Sequence, residues 1–222
     1  MTLVDTPSPV EPRRYAQLPT TNSDNSPDPP HPLTHYGKSK LMGETVVLKH
    51  KCELPVVILR PAVIYGQGNM FFDYLFGMLK AGFNPLWRGY SSLCYIDDVV
   101  CALKLCAESK KAESNIYFIS DGGVYSWRQI TDAICARIKP KKIDVPIPAC
   151  VIRLAAQLIP PVARIIRKPY LGSKFIEFSY PYWLCDPEKI RNELEFKCGF
   201  DLKRGMDLWL DEYCRRGIPG NA

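Results

Sequence analysis

Apolar and polar positions change rhythm several times along the chain, and each change marks a predicted element. A helix is expected from Thr34 or His35, through Tyr36, Lys40, Gly43 and Val47, to about Lys51. Leu54-Pro-Val-Val-Ile-Leu59 is short, continuously apolar and rich in β-branched residues, as a parallel strand covered on both faces would be. Arg60-Pro61 ends that run, and Tyr65-Gly-Gln-Gly68 reads as a loop. Phe71 to Ala81 carries apolar residues at helical spacing, with Gly82 as its stop. Tyr95-Ile96 leads into Asp97-Asp98, acidic residues suited to open a helix over 98–109. Asn115-Ile-Tyr-Phe-Ile119 is a second buried-type strand, closed by an Asp121-Gly122-Gly123 turn. Ser126-Trp-Arg-Gln129 is a capping box that opens a helix to Ile138. Lys142 to Pro146 is an edge-like strand, because Pro146 cannot donate to a ladder. Asp186-Pro187 opens a helix to about Leu194, and a last helix covers Gly205 to Arg216. Strand and helix alternate, which predicts an α/β fold with parallel pairing.

Composition narrows the picture. Of the 222 residues 46% are hydrophobic and 11% aromatic, enough for a real core. Residues 1–32 differ: eight prolines among Ser, Asn and Asp predict a loop or disordered segment. The net charge of +6 is spread thinly. Its short clusters, Lys139-Pro-Lys141-Lys142 and Arg164-Ile-Ile-Arg167-Lys168, read as solvated faces, so no nucleic-acid partner is expected. Nine cysteines, an odd count without C-x-x-C spacing, predict a reducing, cytoplasmic setting. His31, His35 and His50 share no ligand spacing, so no metal site is expected. The longest apolar stretch, Pro146 to Ile166, is broken by prolines and arginines. It predicts a substrate-side helix and loop, and membrane contact is not expected.

Chemistry concentrates at Tyr36-Gly37-Lys38-Ser39-Lys40. A Tyr and a Lys four apart on a helix sit about 40° from each other around the axis, so both reach one site. A phenol serves as a base only if a neighbouring ammonium stabilises its phenolate. The spacing alone is weak, because it recurs at Tyr170-Leu-Gly-Ser-Lys174, where no helical signal exists.

The surrounding words decide the matter. His35-Tyr-Gly-Lys-Ser-Lys-Leu-Met-Gly-Glu44 is followed by Val57-Ile-Leu-Arg-Pro-Ala-Val-Ile-Tyr-Gly66 and Cys94-Tyr-Ile-Asp-Asp-Val-Val100. Ile116 to Ile119 with its Gly turn, Trp183 to Leu194 and Asp201 to Met206 complete the series. In this order they resemble the extended short-chain dehydrogenase/reductase family, in its NAD-dependent epimerase/dehydratase branch, over about residues 27–218. The resemblance implies the C-terminal part of a Rossmann-like, doubly wound parallel sheet at 33–139. A small, mostly helical substrate-side region would occupy 140–222, with 69–94 contributing.

By the same resemblance Tyr36 would be the acid/base acting on a substrate hydroxyl or carbonyl oxygen. Lys40 would hold the nicotinamide ribose hydroxyls and stabilise the Tyr36 phenolate. Pro61, Ala62 and Val63 would line the nicotinamide with contour and backbone hydrogen bonds. Asn84 and Arg88 stand where the family builds substrate contacts. Arg60, Asp97 and Asp98 carry structural readings, as strand-end tie, helix caps and loop anchors. The implied function is that of an NAD(P)-dependent oxidoreductase or epimerase acting on a nucleotide sugar, sterol or similar small molecule. A homodimer through the Tyr36–Lys40 helix is expected as well.

Two departures qualify this. No G-x-x-G-x-x-G turn occurs in the chain, and no Ser or Thr ends a strand about two dozen residues before Tyr36. The family seats its dinucleotide pyrophosphate on such a turn. The N-terminal cofactor-binding half is therefore expected to be missing, and binding of NAD or NADP to be weak or absent. An inactive, truncated remnant with a binding or structural role is the alternative expectation.

Overall fold

The computed structural model describes residues 35–148 and 182–215, together with residue 32, 150–152, 154–155 and 157–159. The Pro-rich segment 1–31, the Tyr170–Lys174 spacing and the Arg164–Lys168 cluster lie outside the described residues. Six labelled helices and nine strands follow in order. They are α1 (His35–Lys49), β1 (Ile58–Pro61), β2 (Val63–Tyr65), α2 (Met70–Lys80), β3 (Phe83–Leu86), β4 (Tyr90–Ser91) and β5 (Leu93–Tyr95). Then come α3 (Ile96–Glu108), β6 (Ile116–Ile119), β7 (Tyr125–Ser126), α4 (Trp127–Ile138), β8 (Ile143–Pro146), β9 (Tyr182–Trp183), α5 (Glu188–Leu194) and α6 (Leu202–Arg215).

Pairing is mainly parallel. β1 runs beside β6 with Ile58 opposite Ile116, β2 beside β5 with Val63 opposite Leu93, and β3 beside β8 with Phe83 opposite Ile143. A small third layer sets β4 between β7 (antiparallel) and β9 (parallel). Parallel partners need crossover connections, and helices supply them, which makes this an α/β fold of Rossmann type.

Local chemistry explains most element ends. Asn69 caps α2: its side-chain oxygen accepts from the backbone N–H of Phe71 at 2.9 Å. Its amide donates to the Ile64 carbonyl at 2.6 Å, which ties the helix to the end of β2. The Ser126–Gln129 capping box forms in both directions at the start of α4. The last helix begins earlier than its apolar pattern suggests, at Leu202, because the Asp201 carboxylate accepts from Arg204 N at 2.7 Å. Pro187 precedes the first turn of α5, and Asp186 still accepts from Glu188 N at 2.9 Å.

The strand expected at 54–59 is displaced. Ladder pairing starts at Ile58, beside the Asn115 carbonyl, and continues through Arg60 and Pro61. Leu54 lies before the start of β6 and is exposed, and Val57 and Leu59 are only partly covered. Among the described residues β6 is the single strand beside β1, so an apolar, β-branched run is left half covered. Tyr65, expected in a loop, ends β2 and is buried.

Two cores meet across β5. Leu93 and Tyr95 face a cluster with Phe72, Leu75, Phe76, Leu79, Ile130, Ile134 and Trp209 from α2, α4 and α6. Cys94 faces the opposite way, toward Val99, Ala102, Tyr117, Ile119 and Ile190. Period-two alternation therefore buries all three residues, which is how a strand sandwiched by helices behaves. Asp98, on the first turn of α3, is 2% exposed and accepts from Gly199 N at 2.8 Å and Phe200 N at 3.2 Å. It anchors the loop before α6, and burial pushes its carboxyl above the usual range despite those two bonds.

All nine cysteines are free thiols. Burial pushes Cys185 up to about 12 and Cys198 up to about 11, so both stay protonated and slow at neutral pH. The expected result with an aromatic disulfide reagent at pH 8 is rapid reaction of the four exposed thiols, Cys52, Cys101, Cys150 and Cys214. The other five are expected to react only after denaturant is added. Fast reaction of all nine would contradict the two-core packing.

Candidate functional site

Tyr36 and Lys40 stand on the first turns of α1, as the spacing predicts. The helix touches the body along Gly37, Leu41, Glu44 and Leu48, a line at i, i+4, i+7 and i+11, and none of its residues is buried. Tyr36 lies about 110° and Lys40 about 70° around the axis from that line, on the same side, so they flank the contact without entering it. Tyr36 is 58% exposed. Lys40 Nζ stands 5.4 Å from the centre of the Tyr36 ring, close enough for a cation–π contact.

One polar contact fixes the helix. Arg60 Nε donates to the two Glu44 carboxylate oxygens at 3.1 and 3.2 Å, and Arg60 Nη2 reaches one of them at 2.5 Å. Both side chains are mostly covered, and the guanidinium also lies 5.4 Å from the Phe118 ring centre on β6. The planar fork of Arg suits this paired geometry, and Lys could not reproduce it. Arg60 thereby joins α1, β1 and β6. It sets the Tyr36 helix beside the strand that leads directly into Pro61.

Pro61, Ala62 and Val63 form the crossing from one parallel pair to the next. Pro61 lies opposite Ile119, Ala62 N donates to the Ile119 carbonyl at 2.8 Å, and Val63 N donates to the Ser92 carbonyl at 3.3 Å. Their backbone donors are thus committed inside the protein. Shape and carbonyl oxygens are what this crossing can offer a ligand. It sits at the carboxyl ends of β1 and β6, where open parallel sheets usually receive ligands.

Asn84 belongs to a different sheet from β1 and β6, and Arg88 follows it in the bend after β3. Asn84 is fully buried on β3, and its amide donates to Asp144 on β8 at 2.6 Å. The Asn84 side-chain oxygen Oδ1 has no partner among the described residues. Hydrogen bonds from Asn84 and then Arg128 hold the Asp144 carboxyl below the usual range. Arg88 is exposed beyond the end of β3. The Glu44–Arg60 contact therefore ties α1, which carries Tyr36 and Lys40, to the strand that leads into the Pro61–Val63 crossing, while Asn84 lies on β3 in another sheet.

A polar network just past β6 was not anticipated as a network. Asp121 accepts from Gly123 N and from the Tyr125 hydroxyl, both at 2.8 Å, and Arg191 donates to the Asp121 carbonyl at 2.8 Å. Burial pushes the Asp121 carboxyl up. The Asp121-Gly122-Gly123 turn was its only legible signal, and the partners come from α5 and β7. No group of side chains that could hold a metal ion occurs among the described residues.

Comparison with known proteins agrees with this architecture. The family model for the RmlD substrate-binding domain matches residues 20–86. UDP-glucose 4-epimerase of Vibrio cholerae is 26% identical over 134 residues, which cover 57% of this chain and 41% of that protein. The N-acetyl-α-D-glucosaminyl-diphospho-ditrans,octacis-undecaprenol 4-epimerase of Escherichia coli is 26% identical over 165 residues, covering 67% and 48%. The crystal structure of UDP-glucuronic acid 4-epimerase from Bacillus cereus, in complex with UDP-glucuronic acid and NAD, superposes with a TM-score of 0.65. Identity there is 18%, over 88% of this chain and 57% of that one. The chain thus spans somewhat under half the length of these curated relatives. In sequence and in fold it is similar to nucleotide-sugar epimerases, and so to the NAD-dependent epimerase/dehydratase branch of the extended short-chain dehydrogenase/reductases.

Proposed function

We propose that this chain carries the acid/base and substrate side of an NAD(P)-dependent epimerase or oxidoreductase acting on a nucleotide sugar. The observation that carries this reading is the Tyr36–Lys40 pair on α1, a helix that Glu44 ties to Arg60 on the strand leading into Pro61. Tyr36 exchanges a proton with the substrate oxygen at its phenol, and Lys40 stabilises the phenolate and orients ribose hydroxyls. A bound nicotinamide supplies the hydride acceptor. Asn84 and Arg88 are proposed as determinants of the substrate side, Arg88 through direct contact and Asn84 through its hold on Asp144. The free thiols fit a cytoplasmic setting. Met42 and Val46, both exposed on α1, fit a homodimer formed through that helix.

The described residues fit the nicotinamide-ribose end of the cofactor better than its other end. No glycine-rich strand-to-helix turn occurs in the 222 residues to receive the pyrophosphate. Calorimetric titration of this chain with NAD and NADP is therefore expected to show binding weaker than about 1 mM, a loss of more than ~4 kcal/mol relative to a micromolar site. Micromolar binding would overturn that expectation. Supplying a glycine-rich dinucleotide-binding half should restore turnover of a UDP sugar if the enzymatic reading holds. A second reading, an inactive chain with a binding role, draws on the same missing turn and on α1 having no buried residue. It is favoured if binding of a UDP sugar persists while turnover stays absent in the complemented protein.

A further inference from the structure

No residue of α1 is buried, and its leucines at 41 and 48 are only partly covered. A 15-residue helix is marginal by itself in water, so its place depends on what it touches. Two partly covered leucines give little apolar burial for that purpose. Glu44 and Arg60 add a contact with a direction. Their side chains are 21% and 16% exposed, and Arg60 Nε faces both carboxylate oxygens while Nη2 reaches one of them. Such a fork admits a narrow range of carboxylate orientations. The Phe118 ring, 5.4 Å from the guanidinium carbon, steadies the Arg60 side of the pair. The ion pair just past the helix, His50 with Glu53, is 54% and 73% exposed and constrains little.

Geometry makes that contact matter at a distance. Glu44 stands about 12 Å along the axis from Tyr36 and about 80° around it, with Lys40 midway at about 40°. Turning the helix by about 10° moves a side-chain tip ~6 Å from the axis by about 1 Å. A misplacement of about 1 Å at a reacting group costs about 10²-fold in rate. We propose that Glu44 and Arg60 are positioning residues for the acid/base helix. Their fork sets the rotation and height of α1 on β1, and its loss releases α1 locally while both cores stay packed. For its effect on turnover the proposal rests on Tyr36 being the acid/base. For the release of α1 it does not.

Hydrogen exchange of the full chain, read by peptide mass spectrometry, tests the release. Glu44→Gln keeps the size of the side chain and removes its charge, and Arg60→Lys keeps the charge and removes the fork. In each variant the amides of α1 are expected to exchange about tenfold or more faster, while those of α4 and α6 stay within about twofold. Glu53→Gln, which alters the exposed pair past the helix, is expected to change nothing. An α1 already unprotected in the unaltered chain, or equally protected in both variants, would overturn the proposal. So would an acceleration shared by α4 and α6, which would make the pair a general stability contact. Turnover of a UDP sugar in the complemented protein tests the positioning. Glu44→Gln is expected to lower kcat about 10–100-fold with KM within about twofold, and to add nothing in a Tyr36→Phe background. Equal losses in both backgrounds would refute a role through Tyr36. Full turnover in Tyr36→Phe alone would overturn the acid/base reading, and the exchange result would still decide whether the pair holds α1.

Discussion

Tyr36→Phe is expected to lower kcat/KM by about 10²–10⁴-fold in a preparation complemented for dinucleotide binding, the range for removing a positioned acid/base. The change deletes one hydroxyl and keeps the ring over which Lys40 lies. Because Tyr36 is 58% exposed, stability should move by less than about 0.5 kcal/mol. The loss should therefore appear in kcat with the fold intact. Lys40→Met is expected to lower kcat and also raise the KM for cofactor, since it removes both a charge and a ribose contact. The environment matters here. Opposite charges a few ångströms apart interact by about 1 kcal/mol in bulk water and about 4 kcal/mol near a protein surface. Covering the Tyr36–Lys40 pair with cofactor and substrate therefore strengthens the coupling between the two side chains. Unchanged turnover in Tyr36→Phe would remove the residue from the mechanism.

Trp209→Ala is expected to cost about 3–5 kcal/mol, most of what a domain of this size has in reserve. Trp209 is 1% exposed on α6 and meets Phe72, Phe76 and Tyr213 with ring centres 5.9, 5.9 and 6.0 Å away. Two of these partners belong to α2, so the indole links helices about 130 residues apart in the chain. Truncation leaves a cavity that the flanking aromatic rings cannot refill without leaving their own contacts. Urea unfolding followed by circular dichroism measures the effect as a shift in midpoint at constant slope. A loss under about 1 kcal/mol would mean that α6 is not integral to this core. Gly205→Ala, one turn earlier, should also destabilise, because an added Cβ would meet the buried Tyr65 hydroxyl.

Elements whose signal is local were legible beforehand. The Ser126–Gln129 box, the apolar stripe of α2 and the alternation of strands and helices depend on neighbours within a turn or two. Strand limits were not legible, because β1 is bounded by where β6 begins, and the sequence near Leu54 carries no mark of that. Asp98 and Asp121 show the same limit. Each reads as a cap or turn residue, and only contacts with loops about 100 residues away, or with α5 and β7, reveal what it holds. Arg60 could be read as a tie, but its partner on the Tyr36 helix required coordinates.

By itself the sequence determined what this protein resembles, through a series of words whose order is far more specific than any one of them. It also determined the chemistry available at Tyr36 and Lys40, since a phenol and an ammonium four residues apart on a helix share a face wherever the helix lies. Tertiary structure alone decided that this face stays exposed while Glu44 makes the contact with the body. It also decided that Ala62 and Val63 spend their backbone donors on neighbouring strands. These outcomes depend on what packs against each residue, and packing partners lie far away in the chain. Periodicity names a helical face, and only the assembled core says whether that face is covered.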